Sequence, residues 1–216
     1  MKLYRFEYSC YARKAQMVLD LLGLRYDIVE VPFGDRTELA TLTHGYIQVP
    51  VLVDDRGEVI VDSRAICETL LQGEYAERLV PSPWQGPIWA YADWCDGPLE
   101  DVLFRIASPG IRRWLTRTAD RALLTFIKER KFGKGCVDDW ERGAADLIAR
   151  ARALLAPTAQ TLRQQPFIFG PRATLADAAL YGLCAMLRGA DATMPGALAP
   201  ELAPWMSRVE DARPAK

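Results

Sequence analysis

An α/β N-terminal domain followed by an all-α domain is the fold class this sequence predicts, on three observations. Over residues 1–72, short β-rich runs alternate with helical stripes in the order strand, helix, strand, irregular segment, strand, strand, helix. A stretch rich in Pro and Gly follows over roughly 73–87. Beyond it apolar residues return at helical spacing and no strand pattern recurs. The expected division is a domain over 1–74, a linker over 75–87 and a helical domain over 88–216.

Lys2 to Phe6 is a β-capable run. Tyr11, Ala15, Val18 and Leu22 then recur at helical spacing, with Leu19 alongside, and Gly23 stops the helix. Tyr26 to Val31 is a second strand with Pro32 at its end. Strand, helix and strand at this spacing form a βαβ unit with parallel strands. Residues 34–46 are polar and mixed, a loop with a short helix. Val49 to Val53 and Glu58 to Val61 flank Asp54-Asp55-Arg56-Gly57, which reads as a β-hairpin. Pro50 lies at the start of the first run, where the missing N–H costs the ladder least. Asp62 and Ser63 are favoured helix N-caps, and Gly73 suits the position just past the end of a helix over Ser63 to Gln72.

The second half is helical throughout. Ile88, Tyr91, Cys95, Leu99, Val102 and Ile106 make a long stripe that Gly97-Pro98 should kink and Pro109-Gly110 should end. A second helix is expected over Ile111 to Arg130, broken by Gly133 and Gly135. Val137, Trp140, Leu147, Ile148, Ala151 and Leu155 mark a third, disturbed by Pro157. Thr174-Leu175-Ala176-Asp177 is a capping-box pattern before an apolar helix to Leu187. A last helix around Glu201 to Val209 carries Trp205.

Bulk properties exclude several classes. The chain has 216 residues, is 50% hydrophobic and carries a net charge of −1. No global basic field points to nucleic acid or an anionic membrane. Five cysteines, at 10, 67, 95, 136 and 184, are odd in number and contain no C-x-x-C, so a disulfide framework is not expected and a reducing, cytoplasmic setting is. Cys67, Cys95 and Cys184 fall in apolar stripes, whereas Cys136 lies between helices and is expected to be more exposed. His44 is the only histidine, which leaves little for a metal site or a His-based triad. The start, M-K-L-Y-R-F-E, lacks an apolar signal core, and no run reaches the ~18 apolar residues of a membrane span.

Val49-Pro50-Val51-Leu52, followed by Asp62-Ser63, resembles the second half of the thioredoxin-like domain of the glutathione S-transferase superfamily. Phe167-Ile168-Phe169-Gly170 and Thr174-Leu175-Ala176-Asp177 are similar to that family's buried N-capping motif. The two motifs lie in the family's order. The resemblance is good over 1–72 and thin beyond it outside 167–187. It implies a cis bond into Pro50, with the Val49 backbone turned toward the tripeptide glutathione as co-substrate. It implies that Asp62 and Ser63 hold the γ-glutamyl end, Asp62 facing the ammonium, and that Gln48 lies near the glycine carboxylate. A helix N-terminus suits the γ-glutamyl carboxylate physically, through free N–H groups and the dipole. The family's N-P-x-G is replaced here by His44, Gly45, Tyr46 and Ile47, a departure in the loop before the Val-Pro. Arg36 and His44 are candidate extra donors. A small-molecule electrophile, a detoxifying role and a homodimer are likewise implied by the family.

A glutathione enzyme must stabilise a thiolate, and a hydroxyl or thiol at a helix N-terminus can do so. Y-S-C-Y-A-R-K supplies two candidates. Its similarity to the family's S-P-Y-A-R-K-V places Ser9 at the catalytic position, with Cys10 in place of proline. The start M-K-L-Y, similar to the bacterial beta-class pattern, puts Cys10 there instead. A Ser9 hydroxyl can only hydrogen-bond the bound sulfur, which suits conjugation. A Cys10 thiolate could form a mixed disulfide, which suits thiol-disulfide exchange. Tyr8 and Tyr11 flank the pair and are candidates to face a hydrophobic electrophile, with Trp94, Phe104 and Arg105 as further candidates. Three functions stay open: a glutathione transferase, a glutathione-dependent oxidoreductase using Cys10, and a non-catalytic binding protein on the same fold.

Overall fold

A computed structural model describes residues 1–214. Four strands form one mixed sheet in the order β2-β1-β3-β4: β1 is Lys2–Arg5, β2 Asp27–Glu30, β3 Val51–Val53 and β4 Val59–Val61. β1 and β2 are parallel, joined by helix α1, Cys10–Leu22. β1 with β3 and β3 with β4 are antiparallel. The short α2, Thr37–Leu42, lies in the irregular segment, and α3, Ser63–Leu70, follows β4. This is a thioredoxin-like arrangement, and every later element of the described residues is helical apart from one isolated bridge between Phe167 and Gly170.

α1 is the hinge of the architecture because nearly all of it is buried. Ala15 and Leu19 pack with Leu3, Leu52, Ile60 and Ile66 against the sheet. Met17, Val18, Leu21 and Leu22 join the core of the second half. The neighbour on that side is α10, Leu175–Ala190. Their backbones cross at Gly182, where an added Cβ would meet the Cys10 carbonyl oxygen at 2.4 Å and the Lys14 nitrogen at 2.9 Å. Only a residue without a side chain fits there.

The helical half departs from the sequence expectations at its prolines. The Pro- and Gly-rich stretch is not extended: Glu74–Leu79 forms α4, and Ser82–Trp84 is a 3-10 turn. Gly97-Pro98 does mark an irregularity. It is a turn of π-helix over Cys95–Leu99 between α5, Gln85–Trp94, and α6, Glu100–Trp114. The wider turn accommodates Pro98, which has no N–H to give to the helical ladder. Pro109-Gly110, by contrast, does not end the helix. α6 runs through both, because they are buried and Gly110 lets the helix approach Ala190, whose Cβ and oxygen lie 2.8 Å from an added Cβ. Packing outweighs the local propensity. The expected second helix is therefore shifted, to α7 over Thr118–Phe132. The third divides at Gly143 into α8, Cys136–Arg142, and α9, Ala144–Gln164, and α9 contains Pro157. α11 is Met194–Leu198 and α12 is Leu202–Asp211. Cys136, expected to be more exposed, is buried, as are the other four cysteines, and all five are free.

Candidate functional site

Sheet register brings the sequence-predicted site residues to one end of the sheet. β1 runs into Phe6, Glu7 and Tyr8, and Ser9 then starts α1. β3 runs the opposite way with Tyr4 beside Val51, so Val49 and Pro50 enter the sheet at the end where β1 leaves it. β4 is antiparallel to β3 with Val61 beside Val51, so Asp62 and Ser63 leave at that same end. Three chain segments, distant in sequence, thus share one rim. The Val49–Pro50 peptide bond is cis.

Two helix N-termini point at this rim. Ser9 is the N-cap of α1 and its Oγ accepts from Ala12 N at 3.3 Å, a long bond for a cap. Asp62 is the N-cap of α3 and accepts from Arg64 N at 2.7 Å and Ala65 N at 3.4 Å, both on Oδ1. Asp62 has φ 76°, a left-handed backbone that costs an ordinary residue of order 1–3 kcal/mol. Such a conformation at an exposed cap is the kind of cost found where a backbone serves a site. Ser63 is buried behind Asp62, and Gln48 is exposed beside the buried Val49.

Cys10 does not share the open face of Ser9. It is 6% exposed and belongs to the apolar core around α10. Burial pushes its thiol well above the usual range, and Glu100 and Asp96 add to the effect. Next to it, Tyr11 donates its hydroxyl to the Asp96 carbonyl oxygen at 3.3 Å. Burial and Glu100 keep that phenol protonated. Lys14, only 3% exposed, forms an ion pair with Asp96 in the π-turn. Burial opposes its charge, and Asp96 more than offsets this. The π-turn therefore ties α5 and α6 to the first turn of α1. Glu100, the first residue of α6, is pushed up to about 6 by burial, against the pull of Lys128 and Lys131.

The loop carrying Gln48 is pinned by Arg36. Its guanidinium donates to the Ile47 oxygen at 3.0 Å and the Phe33 oxygen at 3.3 Å, and lies over the Phe6 and Phe33 rings. Those two bonds tie Arg36 to its own chain. His44 is exposed with φ 56°. Phe104, a candidate for the acceptor pocket, instead packs with Phe132 and Trp140 under the Arg105 guanidinium. Trp94 packs on Tyr91.

Tyr8 occupies the cleft between the two halves of the molecule. Its ring stacks on Phe6 and meets Phe33 and Trp114 edge-on. It lines a cavity of about 430 Å³ with Phe6, Phe33, Trp114 and Asp120, and a second of about 210 Å³ that reaches Arg13 and Arg188. Trp114, Phe33 and Asp120 were not marked as site residues by sequence reasoning. Trp114 reads as one more apolar residue of a helix, and only its 49% exposure shows otherwise. A further concavity of about 550 Å³, beside Arg112, Arg121 and Phe126, lies on the helical half. Its arginines are engaged by Asp138 and by the carbonyl oxygens of Leu115 and Thr116.

Comparison with known proteins gives a consistent result. Residues 3–78 match the family model for the glutathione S-transferase N-terminal domain, and residues 123–212 the model for its C-terminal domain. Similar solved structures include a glutathione S-transferase of Ceriporiopsis subvermispora in complex with glutathione, at 16% identity and TM-score 0.82, covering 100% of this chain and 98% of that one. A glutathione transferase of Phanerochaete chrysosporium is 20% identical, with TM-score 0.81 and the same coverage. Glutaredoxin 2 of Salmonella typhimurium, also solved with glutathione, is 18% identical with TM-score 0.70, covering 98% of this chain and 93% of that one.

Proposed function

The chain belongs to the glutathione S-transferase superfamily, and from that premise we propose that it binds glutathione at the shared sheet rim and activates its thiol for attack on a small hydrophobic electrophile. Asp62, through the oxygen that its cap bonds leave open, receives the ammonium, and Ser63 at the start of α3 receives the γ-glutamyl carboxylate. The Val49 backbone pairs with the peptide, and Gln48 reaches the glycine carboxylate. The Ser9 hydroxyl donates to the sulfur and favours its thiolate, aided by the dipole of α1. The carrying observation is the register that sets Ser9, Val49-Pro50 and Asp62-Ser63 at one end of the sheet, with two helix N-termini facing it. The bound glutathione of the Ceriporiopsis and Salmonella proteins supports the choice of ligand.

Conjugation is favoured over thiol exchange because Cys10 is buried with a raised thiol pKa, whereas exchange needs an accessible thiolate. Tyr8 and the cavities beside it receive the electrophile, whereas Tyr11, bonded to the Asp96 carbonyl oxygen, lines neither of them. Residues 1–74 act as the glutathione-binding unit and those from 88 on as the helical unit, joined by 75–87; residues 215 and 216 of the expected helical domain lie outside the described residues. The five free, buried cysteines suit a reducing compartment, so the reading places the protein in the cytoplasm, as a homodimer with a detoxifying role. No helix of the described residues is long and apolar enough to cross a membrane. Calorimetry with glutathione tests the binding; a flat titration ends the proposal. For the chemistry, Ser9→Ala should lower kcat/KM for conjugation by about 100-fold while glutathione still binds. An unchanged rate removes Ser9 from the reaction.

A further inference from the structure

Asp120 is a buried carboxylate without a partner. It lies in the first turn of α7, is only 9% exposed, and makes no hydrogen bond or ion pair among the described residues. Its oxygens are not among the unpaired polar atoms sealed from water, and the residue lines the cavity of about 430 Å³ between the two halves. The carboxylate reaches across the cleft: a Cβ added to Gly34, just beyond β2, would meet its Oδ1 at 2.7 Å. A buried charge left unpaired is costly, and such groups have partners in the large majority of cases. The cations around it are committed elsewhere. Arg121 donates to the Leu115 and Thr116 oxygens, Arg5 to Glu30 at 2.6 Å, and Arg36 to the Ile47 and Phe33 oxygens. No lysine or arginine is among the residues that line the cavity, whereas Glu7 and Glu30 line it with Asp120. Its charged lining is therefore negative throughout.

Most of the remaining wall is aromatic. The Tyr8 ring meets Phe33 at 5.9 Å and 62° and Trp114 at 6.0 Å and 68°. Arg36 already lies over the Phe6 and Phe33 rings, while no cation of the described residues lies over Tyr8 or Trp114. Ring faces attract an ammonium group, and a carboxylate in a water-poor site supplies its counter-charge. An anion would be repelled by this lining, and a neutral ligand would leave Asp120 unpaired. We propose that this cavity binds a small organic cation, an amine on an apolar body, with Asp120 as the counter-charge and the Tyr8 and Trp114 rings as walls. Tyr8 directly precedes Ser9, so, resting on the conjugation reading, the preferred acceptor is an electrophile that carries such an ammonium. In the reaction the glutathione sulfur gives an electron pair to the carbon of an aryl chloride. A C–S bond forms, the carbon–chlorine bond breaks, chloride leaves with the bonding pair, and the thiol proton passes to solvent.

Calorimetry at pH 7 with benzylammonium and its neutral counterpart benzyl alcohol tests the pocket. Benzylammonium should bind at least about 10-fold more tightly, and Asp120→Asn should remove most of the difference. Trp114→Leu, at a half-exposed position, should weaken benzylammonium about 3-fold. Asp62→Asn should leave the preference intact; a preference that follows Asp62 instead overturns the assignment to this cavity. Equal binding of the two probes, or a benzylammonium affinity unmoved by Asp120→Asn, also overturns it. Should Asp120→Asn fail to fold, the comparison of the two probes in the wild type and in Trp114→Leu decides. Conjugation of 4-chloro-3-nitrobenzylamine against its N-acetyl derivative then tests the acceptor. The amine should be preferred, and the preference lost in Asp120→Asn; an equal rate overturns the acceptor assignment. Glutathione titration separates the two readings. A benzylammonium preference without glutathione binding keeps the pocket and ends the conjugation reading; glutathione binding without that preference does the reverse.

Discussion

Asp62 and Asp177 are both carboxylates that accept from backbone N–H groups at a helix start, one as the N-cap and one two residues into the first turn, at opposite extremes of solvent exposure. Asp177 sits in the first turn of α10 and is fully buried. Oδ1 accepts from Ile168 N at 3.1 Å and Trp205 Nε1 at 3.0 Å, and Oδ2 from Thr174 N at 2.9 Å and Thr174 Oγ1 at 3.0 Å. Asp62 is exposed, strained at φ 76°, and bonded only through Oδ1 to its own helix. A carboxylate closed on every side by protein donors holds chain segments together and has nothing left for a ligand. One left open at a helix start keeps acceptor capacity and charge for something else. Glu100, at the start of α6, lies between them: mostly buried, near Lys128 and Lys131, and raised to about 6.

Substitutions at these positions separate the roles, and the largest effect belongs to the closed end. Asp177→Ala orphans four donors from three chain segments and should cost about 3–5 kcal/mol in urea denaturation. A loss under ~1 kcal/mol would make it an ordinary cap and dissolve the contrast. At the open end, Asp62→Asn keeps an acceptor for the cap and tolerates the positive φ, so stability should barely move. It removes the charge proposed to face the ammonium of glutathione, and the glutathione Kd should then rise about 10-fold. A stability loss without a change in Kd would assign Asp62 to the fold alone.

Glu100 sharpens the middle of the series. Its carboxyl is raised in the folded state, so folding favours its protonated form. Its stabilisation is therefore complete below the unfolded pKa near 4.5 and is lost as pH rises through about 6. The wild type should lose up to about 2 kcal/mol relative to Glu100→Gln between those limits, measured by denaturation at pH 4.5 and pH 7. The opposite sign would mean that the lysines outweigh burial. The smallest effect is expected from Cys10→Ala. It should leave conjugation unchanged and cost about 1 kcal/mol for the small cavity. A large fall in rate would return the thiol to the chemistry.

How much of this was legible beforehand depends on how far apart in the chain the partners lie. The β1–α1–β2 unit, the hairpin and the capping pattern at Thr174-Asp177 rest on neighbours a few residues apart, and they stand within a residue or two of where the pattern puts them. Pro109-Gly110 misleads because its local signal is a break, while Ala190, eighty positions on, rewards a close approach. Trp114 gave no local signal, since it fits an ordinary helix pattern, and Arg13 stood in the Y-A-R-K run without marking a cavity.

The sequence by itself determined the order of strands and helices, the caps at Ser9, Asp62 and Thr174, and the family to which these belong. Only the tertiary structure decided which member of the Ser9-Cys10 pair faces the rim, and that Tyr8, Arg13, Trp114 and Arg188 enclose one cavity. Spacing along the chain fixes which side of a helix a residue occupies. Whether that side meets water, a ligand or another helix depends on what packs against it, and here that neighbour is α10, more than 160 residues away from Cys10.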